Sequence, residues 1–481
     1  MVFMKNNNLV WLIFGFIFIL KFLQCYYLFN IVAVSNPEIE SKYFTYLSGD
    51  SYSYIQPFEN LYLHNEYYSL NSENEKIFAG RMPVYGVFYY LLRFFIEDIN
   101  IIYFIQVIFQ ILFETVAIIC LAKICQNYIK SKLVIIFSLI FSSLCVYWTN
   151  YSLTISPESI GLSLCVIAYY FYLKYITYLN LNYIAICSFL ITLLIGLKPY
   201  MIVFLALISI DLLYKMVIRK VINFRPIVIL AFIPIAIWGT WGIRNYIKIG
   251  KVYFLTEPYS GYTMCKKITY IKFREFISLL GHSDEFWEQS ALSSFFFKYK
   301  VTNYCINDIP TCKGFNKDSV LILKDIMSAN ISNLSKKQDF LNGIRIQRYI
   351  YAFENQNPNL RLLSGFKLIP KFLINSGSYY IPYTENRDVN GVLQLLFKIS
   401  QSVFYYLFLT FGSIGLAILF FQKKELVVTT MPFLLIFLFC FIVKGIELRY
   451  LLYSYPFFHV GLIYFIFEIY KLKKILWLGK S

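Results

Sequence analysis

Apolar runs close to the length of a bilayer crossing recur from end to end of this chain, and they restrict its fold more than any other feature. About 20 apolar residues are needed to carry a helix across roughly 30 Å of hydrocarbon. In lipid every backbone N–H and C=O must be satisfied within its own segment, so unbroken stretches of Leu, Ile and Phe imply helices rather than open sheet. Such runs fall near 9–29, 101–122, 133–150, 158–176, 183–197, 199–217, 226–243, 392–420, 426–443 and 450–470. With 58% hydrophobic and only 15% charged residues, an ordinary soluble globule is excluded. The fold class expected is an all-α polytopic membrane protein of about ten transmembrane helices.

The charges between the runs set an orientation. With the N-terminus inside, the inward segments hold Lys5, Lys123, Lys130, Lys132, Lys174, Lys215, Arg219, Lys220, Arg225, Lys423, Lys424, Lys471, Lys473, Lys474 and Lys480. The short outward connections hold only Lys198, Lys444 and Arg449. That asymmetry predicts a multi-pass protein of the cell (inner) membrane with both termini cytoplasmic. Residues 9–29 could pass for a signal peptide, but no small-residue cleavage site follows at Tyr26, Tyr27, Leu28 and Phe29, so a retained helix is expected. The net charge of +17 sits mostly at helix ends, where membrane lipids account for it and nucleic acid is not implied. The stretch 183–217 reads either as two short spans around Lys198-Pro199 or as one broken helix.

Three regions result: a membrane module over 1–250 with an acidic outer loop at 30–100, an extracytoplasmic region over 251–391, and C-terminal helices with a basic tail over 392–481. In the first loop, 52–63 and 84–96 are aromatic-rich, too short to span, and read as interfacial helices. Within the second region 281–299 and 317–351 look helical, and Asn357-Pro358-Asn359 breaks the pattern. Cys265, Cys305 and Cys312 share that region and leave room for one disulfide. No CxxC pair or His/Cys cluster implies zinc.

The residues suited to chemistry collect at the outward ends of the runs. Asp50 follows a glycine at the start of an interfacial helix, where it serves either as N-cap or as a partly desolvated general base. Arg81-Met82-Pro83-Val84-Tyr85 is an Arg-x-Pro turn whose arginine either snorkels to headgroups or grips phosphate. Glu158 opens a span, where the helix dipole alone would explain it. Lys198-Pro199 interrupts an apolar run, and a lysine there requires an anionic partner. Trp241, Arg244 and Asn245 close the seventh run, and Glu447, Arg449 and Tyr450 lie before the last. Glu114 reads as the one acid in mid-span, with an interhelical hydrogen bond or a protonated side chain as its ordinary explanation. Glu59, Glu66, Glu73 and Glu75 read as solvated surface charges. Asn150, Asn330 and Asn333 head Asn-x-Ser sequons.

Taken in order, these elements resemble the glycosyltransferase C superfamily, near the branch of protein O-mannosyltransferases and aminoarabinose transferases. The resemblance rests on Asp50 in an acidic first loop, Arg81-Met-Pro-Val-Tyr, Ser156-Pro157-Glu158, Lys198-Pro199, the run from Trp241 to Thr256, and Arg449-Tyr450 with Tyr455-Pro456. It covers about residues 1–260 and 440–460 and leaves 260–390 unmatched. It implies an inverting enzyme that moves a sugar from a polyprenyl-phosphate donor to a glycan, lipid or protein acceptor on the extracytoplasmic face. Asp50 would be the base, and Glu158 would orient the sugar or acceptor or help the base. Lys198, Arg244, Arg449 and Arg81 would hold the donor phosphate, and Tyr54, Tyr85, Asn245 and Tyr450 would line the pocket. Ser51 stands where many relatives carry a second acid, so a divalent metal is not firmly implied. A transporter, flippase or polymerase of envelope assembly is the alternative, for which mid-span coupling charges are the expected sign. A receptor or scaffold is the third.

Overall fold

The structure is a computed structural model that describes residues 7–35, 44–47, 50–71, 74–220, 223–257, 263–282, 291–297, 305–374, 389–423 and 425–478. A first helix, α1 (Asn7–Ser35), leads to a folded loop made of α2 (Ser51–His64), a short antiparallel hairpin of β1 (Ser69–Leu70) and β2 (Lys76–Ile77), and α3 (Val87–Arg93). There follow α4 (Ile99–Tyr128), α5 (Lys132–Leu144), α6 (Val146–Leu153), α7 (Glu158–Tyr178), α8 (Leu181–Leu197), α9 (Ile202–Arg219) and α10 (Arg225–Ile249). Five helices form the next region: α11 (Ile268–Leu279), α12 (Ala291–Phe297), α13 (Lys317–Ser328), α14 (Lys336–Gln356) and α15 (Leu360–Ile374). The chain ends with α16 (Val389–Lys423), α17 (Leu426–Phe437), α18 (Leu448–Leu451) and α19 (Tyr455–Leu478).

Among the described residues, eight helices are long and apolar enough to cross a membrane, so the architecture is that of a helical multi-pass membrane protein. The run at 133–150 is not a continuous helix. It is α5 and α6, bent by 50°, with Cys145 in extended conformation between them; counted as one span, the pair is the ninth. The ambiguous 183–217 stretch resolves into two helices. Pro199 disfavours helical backbone at the residue before it, and Lys198 is extended (φ −140°, ψ 96°). The 17-residue α8 is apolar but shorter than the rest.

The membrane helices share one large apolar core. A second, separate core lies in 263–374, where Tyr270, Phe273, Phe276, Phe315 and Phe353 pack together. Asp339 of α14 ties this unit by accepting the backbone N–H groups of Ile268 (3.0 Å) and Thr269 (2.8 Å) at the start of α11. The helix expected over 281–299 is seen as α12, with 283–290 and 298–304 outside the described residues. Helix α15 reaches back to the membrane unit, where Lys444 donates to Ser364 Oγ at 2.9 Å. The disulfide that Cys265, Cys305 and Cys312 leave room for is not formed: all ten cysteines are unbonded, and Cys265 is a small apolar member of the second core.

Candidate functional site

Asp50 immediately precedes α2, yet its carboxylate makes no capping hydrogen bond. It turns instead to two arginines from distant parts of the chain. Arg449 Nη1 donates to Asp50 Oδ2 at 2.5 Å, and Arg81 Nη2 reaches Oδ1 at 3.4 Å. Glu158, in the first turn of α7, likewise does more than meet a helix dipole. It accepts from Lys198 Nζ at 2.6 Å, and its Oε1 lies 3.7 Å from Arg449 Nη1. Arg449 also pairs with Glu447 through Nε. Arg449 is therefore shared by three carboxylates.

Local structure explains how these side chains converge. The segment before Asp50 pairs with the chain after α6: Tyr46 N–H donates to Leu153 O (3.1 Å), and Ile155 N–H to Tyr46 O (3.0 Å). One short parallel contact thus fixes the approach to Asp50 and the approach to Glu158 together. Pro199 ends α8 so that Lys198 leaves the helix beside Glu158, at the start of the preceding helix α7. Arg449 follows a π-helical stretch over Leu438–Val443 and a left-handed Lys444 (φ 55°), an irregular path that redirects the chain between α17 and α19. Arg81 is braced by Ser53 Oγ (3.0 Å), by the hydroxyl of Tyr54 (3.2 Å) and by the face of the Tyr54 ring (4.3 Å).

The cluster has an accessible rim and a covered floor. Side-chain exposure is 34% at Asp50 and Arg81 and 24% at Arg449, but 2% at Glu158 and 8% at Lys198. Burial pulls the Asp50 carboxyl upward, but Arg449, Arg81 and Lys198 together outweigh it, and the net displacement is below the ordinary aspartate value. Arg81, Lys198 and Arg449 supply three positive charges against three from Asp50, Glu158 and Glu447, so the described cluster is electrically balanced. No group of three or more His, Cys, Asp or Glu side chains suited to a metal occurs among the described residues.

Of the pocket residues expected from sequence, Tyr54 touches the cluster directly. Tyr450 stands beside Arg449 and stacks on Phe439, with ring centroids 4.4 Å apart. Tyr85 packs its ring on Tyr54 (5.6 Å), but its hydroxyl donates away to Gln110 Oε1 (3.0 Å). Arg244 and Asn245 are not brought into the cluster. Arg244 donates to the carbonyls of Tyr67 (2.7 Å) and Phe78 and to Asn245 Oδ1 (2.8 Å), while buried Asn245 donates to Tyr253 O (2.8 Å). Arg244 thus holds the first loop onto α10, and Asn245 holds the segment that follows α10. Glu59 is no solvated surface charge either: it pairs with Arg93 (3.2 Å) and accepts from the Tyr89 hydroxyl (2.6 Å). Glu66 keeps to the exposed surface with Lys76 and Lys248, and Glu73 lies outside the described residues.

Sequence reasoning missed a second polar system. Lys21 of α1 and Glu114 of α4 are fully buried and paired at 3.0 Å. Lys21 also donates to Cys145 O (3.0 Å), the carbonyl at the α5–α6 break, and to Thr149 Oγ1 (2.9 Å). Glu114 accepts from Thr149 (3.0 Å) and Ser152 (2.5 Å). The signal was available, because Lys21 is a lone cation in an apolar run just as Lys198 is. Glu114 is also not the one acid within a span: Asp211 of α9 is buried, accepting from Tyr172 and from Lys215 at 2.7 Å.

No protein-family model matches this chain, and no curated protein matches it.

Proposed function

We propose that this chain is an inverting glycosyltransferase of the cell membrane that takes a sugar from a polyprenyl-phosphate carrier, with the cluster facing the extracytoplasmic side. One observation carries the reading: a carboxylate capable of accepting a proton lies between cations suited to a phosphate, all gathered from distant segments at one end of apolar helices. In the reaction the acceptor oxygen or nitrogen attacks the anomeric carbon on the face opposite the phosphate. The bond from that carbon to the phosphate oxygen breaks and its electron pair stays with the phosphate. Asp50 takes the acceptor's proton, and polyprenyl phosphate leaves. Because phosphate is a good leaving group, the protein's task is to position the reactants and to stabilise charge on the departing oxygens. Arg449, Arg81 and Lys198 are the cations for that task, and Glu158 orients Lys198 and Arg449. Arg244 belongs to the scaffold of the first loop.

The ion pairs of Asp50 add a condition. An aspartate held below its ordinary pKa by two guanidinium groups is a weak base near neutral pH. A donor phosphate competes for the same guanidinium groups. As they turn toward it, Asp50 loses the partners that keep it acidic and gains basicity at the step that needs it. The base is thereby activated by donor binding.

Transport is the second reading, favoured by the buried Lys21–Glu114 pair beside a helix break. Against it, Glu114, Cys145 O and Thr149 already occupy three acceptor contacts of the Lys21 ammonium, leaving no donor for a passing ion. Purified protein in proteoliposomes, supplied with polyprenyl-phosphate sugars and envelope extract, separates the two. Transfer should be seen in wild type and fall by about 10²-fold or more in Asp50→Asn, with insertion and yield unchanged. Normal turnover in that variant removes Asp50 as the base, and flux without transfer favours the carrier.

A further inference from the structure

Beneath the ion pairs lies a group of polar atoms whose hydrogen bonds are not made. Glu158 is 1% exposed; its Oε1 takes Lys198, while its Oε2 has no hydrogen-bond partner among the described residues. Ser156 stands beside it without closing one of acceptable geometry. The hydroxyls of Tyr200 and Tyr453 are buried and equally unsatisfied. They approach each other without forming a bond of acceptable geometry, and both lie within the electrostatic reach of Glu158. Their rings meet edge to face at 5.8 Å. Leaving a buried hydroxyl or carboxylate oxygen unpaired is costly, and these three, with Ser156 Oγ and Ser454 Oγ equally unsatisfied beside them in the chain, concentrate unmet hydrogen bonds in one place.

The backbone accommodates this arrangement. A Cβ on Gly161, one turn into α7 from Glu158, would lie 2.4 Å from the Tyr453 hydroxyl and 3.2 Å from its Cζ. The glycine leaves space for that oxygen beside the helix that presents Glu158.

We propose that Glu158 Oε2 and the hydroxyls of Tyr200 and Tyr453 form a subsite for an uncharged, hydroxyl-bearing ring: the sugar of the lipid-linked donor. The proposal rests on the glycosyl-transfer reading and adds the chemical class of the transferred group. A carboxylate oxygen accepts from a sugar hydroxyl, and a tyrosine hydroxyl both donates and accepts, so the three match a polyol in kind. The balance of charges selects a neutral ring. A sugar ammonium would stand beside Lys198 and Arg449, and a sugar carboxylate would face Glu158.

The test uses full-length protein in proteoliposomes and polyprenyl-phosphate donors carrying a neutral hexose, an amino-deoxy pentose or a hexuronic acid. Wild type should transfer the neutral hexose at least tenfold more efficiently than either charged sugar. Tyr200→Phe and Tyr453→Phe remove one oxygen each and keep the rings, so they should unfold no earlier than wild type while raising KM for the hexose donor about tenfold. Gly161→Ala should impair transfer, and adding Tyr453→Phe should restore part of it by removing the oxygen that the new methyl group meets. Unchanged KM in both Phe variants, or equal use of charged and neutral donors by wild type, overturns the subsite and leaves transfer standing. Absence of turnover with every donor overturns the transfer reading, and the subsite with it.

Discussion

Replacing Glu114 with Gln is the sharpest test of what holds Asp50 and Glu158 in place. The exchange preserves side-chain shape and one acceptor oxygen, which can serve Thr149 or Ser152, but leaves the Lys21 ammonium without a counter-charge where nothing is exposed. Removing one partner of a buried ion pair costs about 3–5 kcal/mol, because the remaining ion stays desolvated. Lys21→Met carries a similar cost and also leaves Cys145 O at the α5–α6 break with only the longer bond from Thr149 Oγ1 (3.4 Å). If the two residues acted independently, the double variant would lose about 6–10 kcal/mol. As a pair, the double variant sheds both charges and loses only neutral hydrogen bonds at Cys145 O, Thr149 and Ser152, a loss of about 1–3 kcal/mol. Detergent-purified protein unfolded by SDS titration measures all three. The double variant should be more stable than either single one. The same perturbation should reach the cluster, since Thr149 and Ser152 lie on α6, whose end pairs with the segment before Asp50 and leads into Glu158. Additive losses refute the coupling. A destabilised Glu114→Gln whose folded fraction transfers sugar at the wild-type rate refutes the link to the cluster.

Three further outcomes are expected. Lys198→Met strands the buried Glu158 carboxylate and should cost about 3–5 kcal/mol, whereas Lys198→Met combined with Glu158→Gln should recover part of it in the same titration. Because the folded-state pKa of Asp50 lies below its unfolded value, its ion pairs stabilise the fold above the ordinary aspartate pKa, and that contribution disappears as pH falls through the depressed value. Stability measured down the acid limb should therefore fall less steeply in Asp50→Asn than in wild type, and parallel curves would contradict the pairing. Arg244→Lys keeps the charge but not the fork that reaches two carbonyls and Asn245. It should leave the first loop open to limited proteolysis, while an intact loop with weakened donor binding would return Arg244 to the phosphate.

The helices were legible because the bilayer imposes a length on every apolar run, and that requirement is local. The break in 133–150 was not, since neither Gly nor Pro marks it. Its stabilising partner is Lys21, more than a hundred residues earlier, which donates to the Cys145 carbonyl at the break. Asp50 met the opposite difficulty. The local rule makes aspartate at a helix start a cap, and the tertiary structure overrides it with guanidinium groups 31 and 399 positions away. Arg244 and Asn245 carry the right identities in the right order, yet their donors go to nearby backbone in the first loop and after α10.

What the sequence could state without coordinates was a requirement rather than a partner. An unpaired cation inside an apolar run is costly, so Lys198 had to meet an acid, and the same reasoning applied to Lys21. The choice of acid depends on helix register. A rotation of about 100° per residue decides whether Glu158 or its neighbour Ser159 faces Lys198. Here Glu158 takes Lys198, and Ser159 Oγ hydrogen bonds to Ser152 Oγ at 2.6 Å, which in turn donates to Glu114. Consecutive residues at the head of α7 thus belong one to each polar system. A register change that turned Glu158 to the position of Ser159, against Ser152, would deprive Lys198 of its counter-charge and crowd a second carboxylate against Glu114. That double penalty lets the two ion pairs enforce each other's geometry across the first turn of a single helix.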